Sequence, residues 1–242
     1  MRVNLDGRAA IVTGASKGIG YSIAEALVDA GANCVVCARN EEEIEKAAFA
    51  LEARGGGIVV GVRCDMRLVE DVQRLVATAV ERFERLDILV NNAGVGRFAP
   101  IDEITPEQWH EVIETNLNGV FYACHAAVPH MRRQGSGWII NIASLAAKNP
   151  IPRGAAYNAS KFGLLGLSEA MMLDVRHDGI RVSTIMPGSV ETEFSGPRPP
   201  GGESGWKLQG EDVAEMVLDL LAFHSRALPS RVEMRPSNPP RS

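Results

Sequence analysis

No stretch of this chain is both apolar and long. None reaches the ~18 residues that a membrane-spanning helix needs, so no membrane partner is expected. Basic charge is scarce too. Lys and Arg number 25 against 30 Asp and Glu, a net charge of −5, and no basic footprint points to nucleic acid. Met1 to Arg8 is polar and runs straight into an apolar segment, so no signal peptide is expected and the chain reads as cytoplasmic. Cysteine is sparse, with 4 residues. Cys34-Val35-Val36-Cys37 has redox spacing, but on a strand residues three apart face opposite ways, so buried structural thiols are expected. The 5 histidines show no ligand spacing; His125 and His130 are off one helix face, and no metal is expected.

What the chain does have is alternation. Apolar runs at Ala9–Thr13, Asn33–Ala38, Ile58–Arg63, Asp87–Val90, Gly137–Ala143, Ile180–Met186 and Arg231–Met234 read as strands. Helical patterns lie between them near 18–30, 41–54, 68–84, 106–133, 155–178 and 211–224. Such alternation at this length predicts one α/β domain over 1–242, with a mostly parallel sheet covered by helices on both faces. The strands are apolar throughout, as a sheet covered on both faces requires. Thr105-Pro106-Glu107-Gln108 carries a helix-start signature. The stretch near 192–210 is rich in Pro and Gly and reads as a mobile loop over the substrate. The polar, proline-bearing tail 235–242 is expected outside the sheet.

The turn after the first strand reads Thr13-Gly14-Ala15-Ser16-Lys17-Gly18-Ile19-Gly20. Gly14 permits a tight turn, Gly18 a close approach of backbone to phosphate, and Gly20 close packing of helix on sheet. The helix start then offers free N–H groups and a positive dipole to a pyrophosphate. A nicotinamide dinucleotide is the expected cofactor. NAD sites usually place an acid at the end of the second strand. Here Cys37-Ala38-Arg39-Asn40 has none, and Arg39 with Lys17 suits the 2′-phosphate of NADP. Glu41 to Glu43 come close behind, but Asn40 is expected to cap that helix and they to favour its N-terminus. Asp65 after the third strand is a candidate for the adenine amine, or alternatively an ordinary helix cap. Asn91-Asn92-Ala93-Gly94 after the fourth is small enough for a ribose to lie over it.

The run Tyr157-Asn158-Ala159-Ser160-Lys161 places a phenol and an ammonium one helical turn apart. An ammonium nearby favours the phenolate, so the Tyr157 pKa is expected to fall. That is a general acid/base for neutral pH. Ser144 ends the apolar run from Trp138 to Ala143, where its hydroxyl is placed to hold a substrate oxygen.

Together these pieces resemble the short-chain dehydrogenase/reductase family over about residues 5 to 225. The resemblance rests on Thr13 to Gly20, Asp65, Asn91 to Gly94, Asn116, Ser144, Tyr157 to Lys161, and Pro187-Gly188 with Thr192. It implies a seven-stranded, doubly wound Rossmann-type fold and hydride transfer between a nicotinamide and a carbonyl or alcohol. By that resemblance Tyr157 gives the proton, Ser144 binds the same oxygen, and Lys161 binds the nicotinamide ribose. Asn116 would hold a water that resupplies the proton, and Pro187, Gly188, Val190 and Thr192 would hold the carboxamide. The nearest subgroups are the 3-oxoacyl-carrier-protein reductases and related carbonyl reductases. The ending Pro229 to Ser237 looks more like oxidoreductases of small hydroxy acids, so an acyl thioester substrate is one possibility among several. The first expectation is an NADPH-dependent carbonyl reductase. The alternatives are an NAD-dependent alcohol or hydroxy-acid dehydrogenase, and a catalytically silent cofactor-sensing scaffold. Segments 106–133 and 155–178 carry apolar residues on most sides. Pairing across two-fold axes is therefore expected, as a homotetramer or a dimer.

Overall fold

The computed structural model describes residues 3–192, 194 and 205–240. The core of the loop expected near 192–210, residues 193 and 195–204, lies outside the described residues. Seven strands form one sheet: β1 (Ala9–Thr13), β2 (Asn33–Ala38), β3 (Val59–Arg63), β4 (Ile88–Asn91), β5 (Gly137–Ile142), β6 (Ile180–Pro187) and β7 (Arg231–Met234). Their order is β3-β2-β1-β4-β5-β6-β7. Every pairing is parallel, so the sheet is wholly rather than mostly parallel.

The helices between the strands are α1 (Gly18–Asp29), α2 (Glu41–Glu52), α3 (Val69–Phe83), α4 (Pro106–Ile113), α5 (Gly119–Gln134), α6 (Ala155–Val175) and α7 (Gly210–Ala222). They cover the two faces separately. On one face Ile23 and Leu27 of α1, Ile44 and Leu51 of α2, and Val217 of α7 pack on Val12 and Val36. On the other, Leu75 of α3, Ala127 of α5 and Leu164 of α6 pack on Ile11, Leu89 and Ile139. Odd and even residues of β1 thus go to opposite cores, which is why the strand is apolar at every position. The chain reverses its direction of winding between β1 and β4, and a crevice opens beyond the carboxyl ends of those strands.

All four cysteines are buried free thiols. Cys34 and Cys37 fall in opposite cores, as alternation on β2 demands. Burial pushes the Cys34 thiol up to about 12. The same cause raises Cys124 to about 12, against a hydrogen bond from Asn91. Among the described residues no helix is long and apolar enough to cross a membrane, and no group of three or more His, Cys, Asp or Glu side chains is placed to hold a metal.

The third, fifth and sixth strands differ from their expected bounds by one residue each, and two further expectations need correction. The segment 106–133 is not one regular helix: a π-helical stretch, Glu114–Asn118, separates α4 from α5. The fourth strand runs from Ile88 to Asn91. Asp87 sits just before it, its carboxylate accepting bonds from Arg8, Arg85 and the backbone N–H of Ala9. The helix starts behave as read: Thr105 and Gln108 form the reciprocal cap, and Asn40 accepts from the Glu43 N–H.

Candidate active site

Thr13 ties the two sides of the crevice together. Its Oγ1 accepts the backbone N–H groups of Asn92 and Ala93, both at 3.0 Å. Asn92 Nδ2 donates back to the carbonyls of Thr13 and Gly14 at 3.0 Å each. This fixes the glycine turn against Asn92-Ala93-Gly94. Gly14 has φ +66°, and a Cβ there would lie 2.8 Å from the Ala93 Cα. A Cβ on Gly20 would lie 2.3 Å from the Gly14 carbonyl oxygen. Neither position admits a side chain, so the loop is kept bare and tight. Lys17 stands at the N-cap of α1 with no side-chain cap bond, which leaves helix-start N–H groups for a ligand. Beside it a cleft of about 430 Å³ is lined by Ser16, Lys17, Gly18, Glu191 and Gln209 among others. Ile19 packs against the core below. The bare turn, the open helix start and the cleft fit the pyrophosphate of a dinucleotide.

Thr192 closes this end: its Cγ2 is 3.5 Å from where a Gly18 Cβ would be. The segment before it is braced by the Val190–Leu208 bridge. Pro187 ends β6, and the Gly188 N–H donates to the Met234 carbonyl at 2.8 Å.

At the far end of the crevice, Asp65 is not a helix cap. α3 begins at Val69 behind Leu68, and the Asp65 carboxylate is held by Arg67, with Arg67 Nη2 at 2.6 Å and its backbone N–H at 3.0 Å. Those bonds to Arg67 keep the Asp65 carboxyl below its ordinary range. Arg39 approaches Glu111 of α4, Nη1 to Oε1 at 3.6 Å. Neither Arg67 nor Glu111 stood out in the sequence.

The reactive corner gathers Ser144, Tyr157, Lys161 and Asn116. Ser144 opens a short 3-10 turn after β5, and its Oγ accepts from the Ala146 N–H at 3.1 Å. Tyr157 and Lys161 share the first turns of α6. Lys161 is 4% exposed, donates to the Ile142 carbonyl at 3.0 Å, and lies 5.7 Å from the Tyr157 ring centroid. Burial drives its pKa down to about 8. The Tyr157 phenol is shifted up, not down: burial raises it, and a hydrogen bond with Ser144 lowers it only in part. The expected fall through Lys161 is therefore corrected. Desolvation of the phenolate dominates, opposed by the Ser144 bond.

Asn116 lies in the π-helical stretch, fully buried. Its Oδ1 accepts from the Val95 N–H at 2.8 Å, and its Nδ2 donates to the Val95 carbonyl and to Ser160 Oγ at 2.9 and 3.1 Å. Ser160 in turn donates to the Tyr157 carbonyl at 2.7 Å. Both side-chain N–H groups of Asn116 are thus engaged in tying the loop after β4 to α6. The Tyr157 ring meets Phe98 and Phe194, at centroid distances of 5.5 and 5.7 Å. Phe98, 59 positions from Tyr157 in the chain, had no local signal.

Fold and site define a class: a Rossmann-type oxidoreductase that works with a nicotinamide dinucleotide. The family description "short chain dehydrogenase" matches residues 8–201, and the chain belongs to the short-chain dehydrogenase/reductase family. It is 40% identical over 201 residues to the D-threitol dehydrogenase of Mycolicibacterium smegmatis, covering 80% of this chain and 76% of that one. Among solved structures it resembles a metagenomic short-chain oxidoreductase in complex with NADP, with 34% identity, TM-score 0.85, and 97% and 99% of the two chains covered. An alcohol dehydrogenase from the archaeon Thermococcus sibiricus, complexed with 5-hydroxy-NADP, aligns with TM-score 0.89 and 30% identity over 97% of this chain and 99% of that one.

Proposed function

We propose that this protein is an NADPH-dependent carbonyl reductase, reversible as a secondary-alcohol dehydrogenase. The observation that carries the reading is the buried Lys161 ammonium beside Tyr157, with the Ser144 hydroxyl near the same phenol, at the end of a glycine-lined crevice. When bound, the reduced nicotinamide supplies a hydride to the carbonyl carbon. Tyr157 gives its phenolic proton to the carbonyl oxygen, and Ser144 holds that oxygen in place. Lys161 binds the nicotinamide ribose, and Asn116 keeps the loop after β4 in register with α6. A raised Tyr157 pKa suits this direction, because the acid stays loaded through neutral pH.

Gly14, Ser16, Lys17, Gly18, Ile19 and Gly20 hold the pyrophosphate. Arg39 meets the 2′-phosphate and Asp65 the adenine. Asn92, Ala93 and Gly94 receive the adenosine ribose, and Pro187, Gly188, Val190 and Thr192 the carboxamide. Two similar solved structures carry NADP or a derivative of it, which supports the choice of dinucleotide. The aromatic flanks of Tyr157 favour an apolar ketone over a small charged hydroxy acid. With the reactive groups gathered in one corner, a silent scaffold is disfavoured. The enzyme is read as working in the cytoplasm.

The test is nicotinamide absorbance over a panel of ketones, 3-oxoacyl thioesters and hydroxy acids. NADPH oxidation is expected with apolar ketones, with NADH several-fold poorer. Replacing Ala38 by Asp and Arg39 by Gln is expected to reverse that order. Equal wild-type efficiency with both nucleotides, or turnover of hydroxy acids with NAD alone, overturns the reading.

Assembly follows from two helices. α5 and α6 leave Phe121, Phe162 and Leu173 exposed at 48%, 46% and 54%. Pairing across two-fold axes would cover them. Light scattering is expected to give a dimer or tetramer; a monomer at micromolar concentration contradicts it.

A further inference from the structure

Two arginines converge on one carboxylate at the adenosine end of the crevice, and a third lies near. Arg39 follows β2, Arg67 follows β3, and Arg97 lies in the loop after β4. Glu111, on α4, sits among them. Its Oε2 accepts from Arg97 Nε at 2.8 Å, its Oε1 is 3.6 Å from Arg39 Nη1, and its charge reaches Arg67. Arg67 is itself engaged by Asp65. The Glu111 side chain is 19% exposed and that of Arg39 54%. The acid is held and the arginine is the more accessible partner.

A carboxylate and a phosphate monoester seek the same guanidinium edge. We propose that Glu111 tempers the cofactor preference of this protein, as an internal anion that competes with the adenosine 2′-phosphate for Arg39. The proposal rests on the reading that Arg39 meets that phosphate. NADPH must draw Arg39 from Glu111 and bring a second negative group close to it. NADH carries a hydroxyl there and meets neither cost. Arg97 moderates the effect by holding Glu111 back and neutralising part of its charge. Glu111 thus narrows the margin by which NADPH is favoured, from a position 72 residues along the chain from Arg39.

The test is a binding titration of the whole protein with NADPH and with NADH, read by nucleotide fluorescence and independent of turnover. Glu111→Gln is expected to tighten NADPH about tenfold, the scale of one partly screened charge contact plus the repulsion removed, with NADH changed less than about twofold. Arg97→Gln leaves Arg39 as the ion-pair partner of Glu111 and is expected to weaken NADPH several-fold. In the double variant NADPH affinity should return to that of Glu111→Gln, because the competitor is gone. Weaker NADPH binding by Glu111→Gln, or an equal change for both nucleotides, overturns the proposal. A double variant far below Glu111→Gln also overturns it, by showing that Arg97 itself binds the phosphate. Arg39→Gln separates the two levels: if it leaves NADPH affinity unchanged, the reading of Arg39 fails, whatever Glu111 does.

Discussion

Tyr157→Phe should lower turnover at least about 100-fold, the usual scale for a lost proton donor, while nucleotide affinity stays close to wild type. The substitution removes one oxygen and leaves the ring. The contacts with Phe98 and Phe194 at 5.5 and 5.7 Å persist, so the pocket keeps its shape and the loss is chemical. The pH profile carries a second signature. The phenol is raised above its ordinary value by burial, so wild-type ketone reduction should be flat through neutral pH and decline only in the alkaline range. Alcohol oxidation needs the phenolate and should climb with pH. Steady-state kinetics on a verified ketone measure both. Near-normal turnover by Tyr157→Phe would remove the phenol from the mechanism.

Lys161→Met should do two opposite things: abolish most activity and stabilise the cofactor-free protein. Lys161 has an ordinary pKa of 10.5 and a folded value of about 8. Below about pH 8 the ammonium is charged in both states, and folding bears the full cost of burying it. Between 8 and 10.5 the unfolded chain binds more protons than the folded one, so stability rises with pH. Above 10.5 the cost is gone. The shift corresponds to roughly 3 kcal/mol, from which about 1 kcal/mol is lost with the bond to the Ile142 carbonyl. A gain near 2 kcal/mol at pH 7 raises Tm by about 5 °C in a chain of this size. The gap between variant and wild type should close at about pH 9.5 and reverse slightly by about pH 10.5, where only the lost bond remains. Thermal melts across that range decide it, and a lower Tm for the variant at pH 7 would mean that the charge is compensated inside the fold. A residue that costs stability and serves the reaction is the usual trade at an active site.

How much of this was legible in the chain depended on distance. β1, β2 and β7 match their predicted bounds at both ends, because unbroken apolar runs with turn residues beside them are local signals. The glycine turn was legible for the same reason. The π-helical stretch was not. Glu114–Asn118 continues the helical pattern, and the buried Asn116 within it is bonded to Val95 and Ser160, 21 and 44 positions away. The Tyr157 pKa was misjudged because spacing gives the neighbour but not the burial, and burial won. Asp65 was placed correctly as a feature after β3, yet its partner Arg67 follows from the turn geometry rather than from letters.

The four cysteines lend this protein a use of a different kind. A thiol with a pKa near 12, as for Cys34 and Cys124, is thiolate in about one molecule per 10⁵ at pH 7, and all four sulfurs are buried under side chains. Alkylating reagents find nothing to modify until the sheet itself opens. Labelling kinetics therefore time the openings of the native protein without any engineered probe, and one cysteine added on the surface would accept a dye alone.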